Sequence, residues 1–281
     1  MPEYLRLQGK KALVTGSDTG IGYEIGREFL RQGADVVFHY VSDDSSVKQA
    51  IDEAHALNRK STAFRADFNR LDEAIALATQ AIEFLGGVNC LVNNAGVTFN
   101  RPFPKVTPEQ FETMFHINFR AQYFITQRVV EDLLQRGEGG AVCNLSSIHA
   151  LQGVPEHSVY AATKGAILSY TRSLAVELAH AGIRVNAIAP GWITVENYYK
   201  AIPGFTEESA AEIAHKSIPL ARCGRPADIA NLAVFLCSDD SDYIVGQTIV
   251  ADGGTTALMS LVSDFRQESA NRFGTGYIPG A

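Results

Sequence analysis

The 281-residue sequence is poor in cysteine, with only four, at positions 90, 143, 223 and 237. None forms a CxxC pair, and Cys90 and Cys143 fall inside apolar runs, so they read as reduced core thiols in a cytosolic compartment. No metal site is expected. Long apolar runs are also missing, since none approaches the roughly 20 residues that span a bilayer. The first ten residues, MPEYLRLQGK, contain neither an apolar h-region nor a small-residue cleavage site, so export is not expected. Basic charge is short too: 24 Lys+Arg against 31 Asp+Glu leave a net charge of −7, which argues against a nucleic-acid partner. There is no Pro/Ser linker, low-complexity tract or repeat of fixed period. What remains is an ordinary globular composition, 46 % hydrophobic and 20 % charged, with ample apolar mass for a large core.

The apolar pattern alternates. Short β-rich runs at 11–15, 35–40, 61–66, 88–93, 141–146, 183–189 and 247–251 are separated by helical spacing at 21–32, 47–58, 71–84, 108–135, 158–180 and 226–237. Strands joined by helices of ten or more residues imply parallel pairing with right-handed crossovers. Near-continuous apolar strands imply a sheet covered on both faces. The expectation is therefore one α/β domain with a doubly wound, Rossmann-like, seven-stranded parallel sheet. Ligands in such a sheet sit beyond the carboxyl ends of the strands.

Just after the first run stands Thr15-Gly16-Ser17-Asp18-Thr19-Gly20-Ile21-Gly22. Gly16 permits a tight turn, Gly20 a close approach to a pyrophosphate, and Gly22 close helix–strand packing. The amides that open the following helix then face phosphates. The spacing is GxxxGxG, and no Gly-Lys-Ser/Thr follows, which excludes a nucleoside-triphosphate loop. At the end of the second run, where an acid would hold a ribose 2′-hydroxyl, stands Tyr40. No carboxylate is there to repel a 2′-phosphate, so the sequence leans to NADP and leaves NAD open. Asp43 and Asp44 read as the start of the next helix.

The helix at 158–180 carries Tyr160 and Lys164 four apart, on one face. A neighbouring ammonium is expected to lower a phenol from about 10 by roughly 1–3 units, into general acid/base range. Ser146 and Ser147 close the fifth run, and Asn118 sits between Ile117 and Phe119 in a long helix, where a buried amide needs partners.

Taken together, these pieces resemble a short-chain dehydrogenase/reductase. The matching residues are TGSDTGIG at 15–22, Asp67, Asn93-Asn94-Ala95-Gly96, Asn118, Ser147, Tyr160xxxLys164, Pro190-Gly191 and Asp252-Gly253-Gly254, spread over roughly 8–255. The resemblance implies Tyr160 as general acid/base and Lys164 as its tuner and ribose ligand. It implies Ser147 as holder of the reacting oxygen and Asn118 as holder of a relay water. For the nicotinamide cofactor it implies Gly16, Ser17, Thr19, Gly20, Ile21, Gly22, Tyr40, Asp67, Phe68, Asn94, Ala95, Gly96, Pro190, Gly191 and Ile193, together with Tyr160 and Lys164. It also implies a homotetramer. Two departures stand out. Val195 occupies a position where the family places threonine, with Thr194 one residue earlier, and the chain runs 27 residues past Gly254. We read 1–255 as the domain and 256–281 as an extension docked at a subunit interface.

Substrate-side residues should come from the loops after the fifth and sixth runs, with His149, His157, Trp192 and Asn197 foremost. Gln152, Glu156, Glu196, Tyr198 and Tyr199 complete a polar, hydrogen-bonding set with aromatic faces. Such a set suits a sugar or polyol. The alternative enzyme reading is reduction of a 3-oxoacyl thioester on an acyl carrier protein. A nucleotide sensor without turnover is disfavoured because all four catalytic positions are kept. A serine hydrolase is disfavoured because no G-x-S-x-G elbow surrounds Ser147.

Overall fold

In the computed structural model, which describes residues 4–259, every expected apolar run becomes a strand. These are β1 (Lys11–Val14), β2 (Asp35–Tyr40), β3 (Ser61–Arg65), β4 (Cys90–Asn93), β5 (Gly140–Leu145), β6 (Ile183–Pro190) and β7 (Thr248–Ala251). They form one fully parallel sheet in the order β3-β2-β1-β4-β5-β6-β7.

Side chains alternate across the pleat between two apolar layers. Ala12, Val14, Val36, Phe38, Cys90, Val92 and Cys143 face a layer shared with α1 (Gly20–Arg31), α2 (Ser45–Ala56) and α9 (Pro226–Cys237). Leu13, Val37, Leu91, Val142 and Val185 face the other layer, shared with α3 (Leu71–Leu85), α5 (Ala121–Arg136) and α6 (Ser158–Leu178). Burial on both faces is why the strands are apolar without a break. Each fully buried side chain such as Phe29, Phe38 or Leu91 contributes roughly 1.5–3 kcal/mol.

Two local expectations are corrected. The helix read at 108–135 is three pieces: α4 (Pro108–Phe115), a π-helical turn (His116–Arg120) and α5. The π turn contains Asn118, whose side-chain amide bonds Val97 and Thr163. Two helices without a strong apolar stripe were not anticipated, α7 (Glu196–Ala201) and α8 (Glu207–Ser217). Thr206 starts α8 with a capping box through Ser209. Cys90, Cys143 and Cys237 are free and buried as expected, whereas Cys223 is only partly buried. The extension beyond residue 259 lies outside the described residues.

Crossovers from β1 lead towards β2 and β3 on one side and β4 to β7 on the other. The order therefore reverses between β1 and β4, and the crevice that this opens lies at the carboxyl ends of the strands.

Candidate active site

That crevice is a cavity of about 680 Å³, large enough for a sizeable cofactor with substrate beside it. One end is the glycine loop. Gly16 turns at φ +58°, in the left-handed region that favours glycine. A Cβ on Gly22 would stand 2.2 Å from the Gly16 carbonyl oxygen, so only glycine lets α1 start so close to the loop. The N-cap Thr19 makes no side-chain capping bond, and Gly20 and Ile21 line the cavity with the first uncapped turn of α1. A diphosphate fits this combination of amides and helix dipole.

At the centre of the cavity, Ser147 follows the end of β5 and Tyr160 lies in the first turn of α6, so the strand end and the helix start meet. The Ser147 hydroxyl and the Tyr160 phenol are hydrogen-bonded, and this bond favours the phenolate. Burial acts more strongly in the opposite direction and pushes the phenol up to about 12, with Tyr198 adding to the rise. The Lys164 ammonium lies 5.6 Å from the centre of the Tyr160 ring and donates to the Leu145 carbonyl at 2.8 Å. Burial lowers it to about 8. The expected lowering of the phenol by Lys164 is therefore not what this geometry gives. Both groups are desolvated, desolvation disfavours the charged form of each, and the phenol stays neutral.

Asn118 is fully buried and joined to one residue from both sides. It donates Nδ2 to the Val97 carbonyl at 2.9 Å and accepts the Val97 amide on Oδ1 at 2.8 Å, with a further donation to Thr163 Oγ1 at 3.2 Å. A Cβ built on Gly96 would lie 3.4 Å from Asn118 Oδ1 and 3.5 Å from Lys164 Nζ, so Asn118 and Lys164 converge on Gly96. In this structure Asn118 is a clasp between the π turn and the segment after β4.

A family model described as enoyl-(acyl carrier protein) reductase matches residues 16–256. A short-chain dehydrogenase/reductase of Pestalotiopsis microspora is 37 % identical over 259 residues, covering 89 % of this chain and 96 % of the relative. The chain belongs to the short-chain dehydrogenase/reductase family. Two solved structures carry the likeness into three dimensions. A blue fluorescent protein from a metagenomic library, in complex with NADPH, is 34 % identical with a TM-score of 0.80 over 89 % of this chain and 99 % of its own. A 7α-hydroxysteroid dehydrogenase complexed with NADH and 7-oxo glycochenodeoxycholic acid is 34 % identical with a TM-score of 0.82, covering 89 % and 96 %. The protein is thus an NAD(P)-dependent oxidoreductase of this family.

Of the residues expected at the cofactor, Gly16, Thr19, Gly20, Ile21, Asp67, Phe68, Asn94, Ala95, Gly96, Tyr160, Lys164, Pro190, Gly191 and Ile193 all line the cavity. Three do not. Ser17 is fully buried beneath the loop, donating to the Val14 carbonyl at 2.7 Å and accepting from the His39 amide at 2.8 Å. Gly22 serves packing. Tyr40 packs against the apolar layer of α1, α2 and α9, and its neighbours His39 and Val41 line the cavity in its place, because the pleat turns alternate side chains to opposite faces. Val195 lines the cavity, while Thr194 is tied to the Gly224 carbonyl through its amide at 3.0 Å. Ser146 donates to the Lys164 carbonyl at 2.8 Å and is a structural tie.

On the substrate side, His149 meets the Tyr160 ring edge to face at 5.5 Å, and His157 stands 5.0 Å from His149. Burial and His157 both depress the basicity of His149. Trp192 lies off the main cavity, lining a separate pocket of about 290 Å³ and packing on Phe205 at 6.0 Å. Asn197 falls in α7, and its side chain lies outside the described residues. Sequence reasoning missed His39, Asp18, Val97, Thr98 and Ile117 as lining residues. The one signal for His39 was a lone imidazole within the apolar run DVVFHY. Asp18 lies in the glycine loop, Val97 and Thr98 in the segment after β4, and Ile117 in the π turn.

Proposed function

We propose that this oxidoreductase interconverts a secondary alcohol and a ketone on a sugar or polyol, with the carbonyl-reducing direction favoured. The observation that carries this reading is His149 Nδ1, which is buried beside the catalytic phenol and makes no hydrogen bond among the described residues. A buried polar atom without a partner is costly, and a second substrate hydroxyl next to the reacting carbon would relieve it. When bound, the nicotinamide supplies or accepts the hydride. The protein's part is proton transfer and placement. Ser147 and Tyr160 hold the substrate oxygen, and the neutral phenol donates its proton as the carbonyl becomes an alcohol. The Lys164 ammonium, over the same ring, stabilises the phenolate that remains.

A panel of aldoses, polyols, cyclic ketones and acetoacetyl thioesters, followed by nicotinamide absorbance with both cofactors, tests the proposal. Turnover of sugars that drops at least tenfold in kcat/KM in His149→Phe supports it. Turnover of acetoacetyl thioesters alone would overturn it. The aromatic set of Trp192, Tyr198, Tyr199 and Phe205, with ring centres 5.4–6.1 Å apart around Phe205, favours a second reading, a polycyclic hydroxyketone. The 7-oxo steroid held by one structural neighbour is a compound of that kind.

For the cofactor, NADP is the proposed preference. Neither His39 nor Val41, which line the cavity at the end of β2, brings a carboxylate there, and Arg65 carries its guanidinium to the Val41 carbonyl on the same rim. Asp18, its carboxyl raised by burial and by Asp43, opposes that preference. A higher kcat/KM with NADP that falls in Arg65→Ala supports the assignment, and a clear NAD preference overturns it. A cytosolic homotetramer completes the proposal. Exposed Phe111 on α4, Leu134 on α5 and Val176 on α6 support helix-to-helix assembly, which sedimentation would test.

A further inference from the structure

His39 has no part in the proton transfer described above, yet it is 1 % exposed and lies at the end of β2 against the nucleotide half of the cavity. Its two ring nitrogens are both spent on backbone. The Gly16 amide donates to Nδ1 at 2.8 Å, which makes Nδ1 an acceptor. The other nitrogen, Nε2, therefore bears the proton and donates to the Ala66 carbonyl at 2.9 Å. One tautomer of the neutral ring satisfies both bonds. No donor is left over for a phosphate, so His39 cannot serve as a cation for the ligand.

The ring also lies flat on Phe68, with centres 4.3 Å apart and planes 1° from parallel. Phe68 and Asp67 line the same cavity just past β3. A single imidazole thus joins the first turn of the glycine loop, the end of β3 and an aromatic wall of the cavity. On its other side Gly16 is held as firmly, because its carbonyl accepts Asn94 Nδ2 at 2.8 Å. Beneath the loop, Ser17 and His39 exchange backbone contacts, with the Ser17 amide donating to the His39 carbonyl at 2.9 Å. Gly16 sits in the left-handed region, one of several conformations open to a free glycine, so something must select it.

We propose that His39 is a positioning residue that sets dinucleotide affinity by locking the Gly16 turn and the Phe68 ring into their ligand-binding arrangement before the cofactor arrives. A loop that is already ordered loses less conformational freedom on binding, so the gain appears as affinity and not as chemical rate. The inference rests on the family's dinucleotide chemistry and is independent of which alcohol is oxidised.

The test titrates purified protein with NADH and with NADPH by fluorescence, alongside kcat at saturating cofactor. His39→Phe keeps a ring against Phe68 but offers no acceptor to Gly16. His39→Asn restores an acceptor oxygen near the place of Nδ1. The expected result is a dissociation constant at least tenfold higher in His39→Phe and within threefold of the parent in His39→Asn, with kcat changed less than twofold in both. If His39→Phe does not fold, His39→Ala takes its place in the same comparison. Parent-like affinity in a folded Phe or Ala variant overturns the proposal. So does equal weakening in the Asn variant, or a loss in kcat with affinity intact. Loss of all dinucleotide binding by the parent protein would instead sink the oxidoreductase reading itself.

Discussion

Around the glycine loop, Gly16 is held through its amide by His39 and through its carbonyl by Asn94, and Ser17 is bonded beneath it to β1 and β2. Past Tyr160 the cavity is built differently. His149 leaves a buried nitrogen without a partner among the described residues, Glu156 sits at φ 67°, and the aromatic side chains meet one another on and beside the short helix α7. The first region has its bonds made in advance, which suits a ligand that does not vary. The second keeps polar capacity and apolar surface open, which suits a ligand that differs among relatives. Chemistry happens where the two regions join, on a phenol that burial pushes up to about 12 and an ammonium that burial lowers to about 8.

The sharpest way to test that division is at the join. Tyr160→Phe removes the proton donor and should lower kcat by about 10³-fold, within the usual range for general acid/base catalysis, while NADH and NADPH titrations stay within twofold. Retained turnover would break the comparison at its centre. On the ordered side, Gly22→Ala places a Cβ 2.2 Å from the Gly16 oxygen and 2.3 Å from Asn94 Nδ2. It should cost about 1–3 kcal/mol or more by overpacking, read as a lower midpoint in thermal melts together with weaker cofactor binding.

Acid sensitivity sharpens the same side. Burial holds His39 near 4, below its ordinary 6.5. Its folded-state value is depressed, so above pH 6.5 neither state binds the proton. Between 6.5 and 4 the unfolded chain takes up a proton that the folded one refuses. Stability should therefore fall over that window by an amount on the order of 3 kcal/mol from this group, and His39→Asn should remove that component. Melting curves from pH 7 to 4 check it, and identical slopes in the two proteins would contradict it. The smallest effect is expected on the open side. Phe205→Ala should raise substrate KM several-fold and leave cofactor KM and the melting midpoint nearly unchanged, because Phe205 gathers Trp192, Tyr198 and Tyr199 without entering the central core. A large stability loss would show that this side is as tightly determined as the other.

Much of this could be read from residue order alone. Seven apolar runs became seven parallel strands, and residues of TGSDTGIG, Ser147 and Tyr160xxxLys164 all reached one cavity, because a parallel sheet brings all its carboxyl ends to one edge: the glycine loop and Ser147 follow β1 and β5, and the helix that carries Tyr160 and Lys164 starts at that same edge. The direction of the Tyr40 side chain was not legible, for the same kind of reason at finer scale. The end of β2 was legible, but which of its alternating side chains faces the ligand depends on where the strand stops and the pleat turns. α7 and α8 were missed because the first is six residues long and the second buries the small side chains Ala210 and Ala214, which leaves no strong apolar stripe to see.

Sequence alone determined the alternation of strand and helix, the glycine turn and the tyrosine–lysine pair, since each depends on neighbours along the chain within one or two turns. Tertiary structure decided the protonation of the pair, with burial outweighing the expected pull of Lys164 on the phenol. It also decided that the Gly16 amide belongs to His39, which lies 23 residues away in sequence and 2.8 Å away in space. Desolvation and long-range hydrogen bonds depend on what the rest of the chain brings alongside, and no local pattern encodes that.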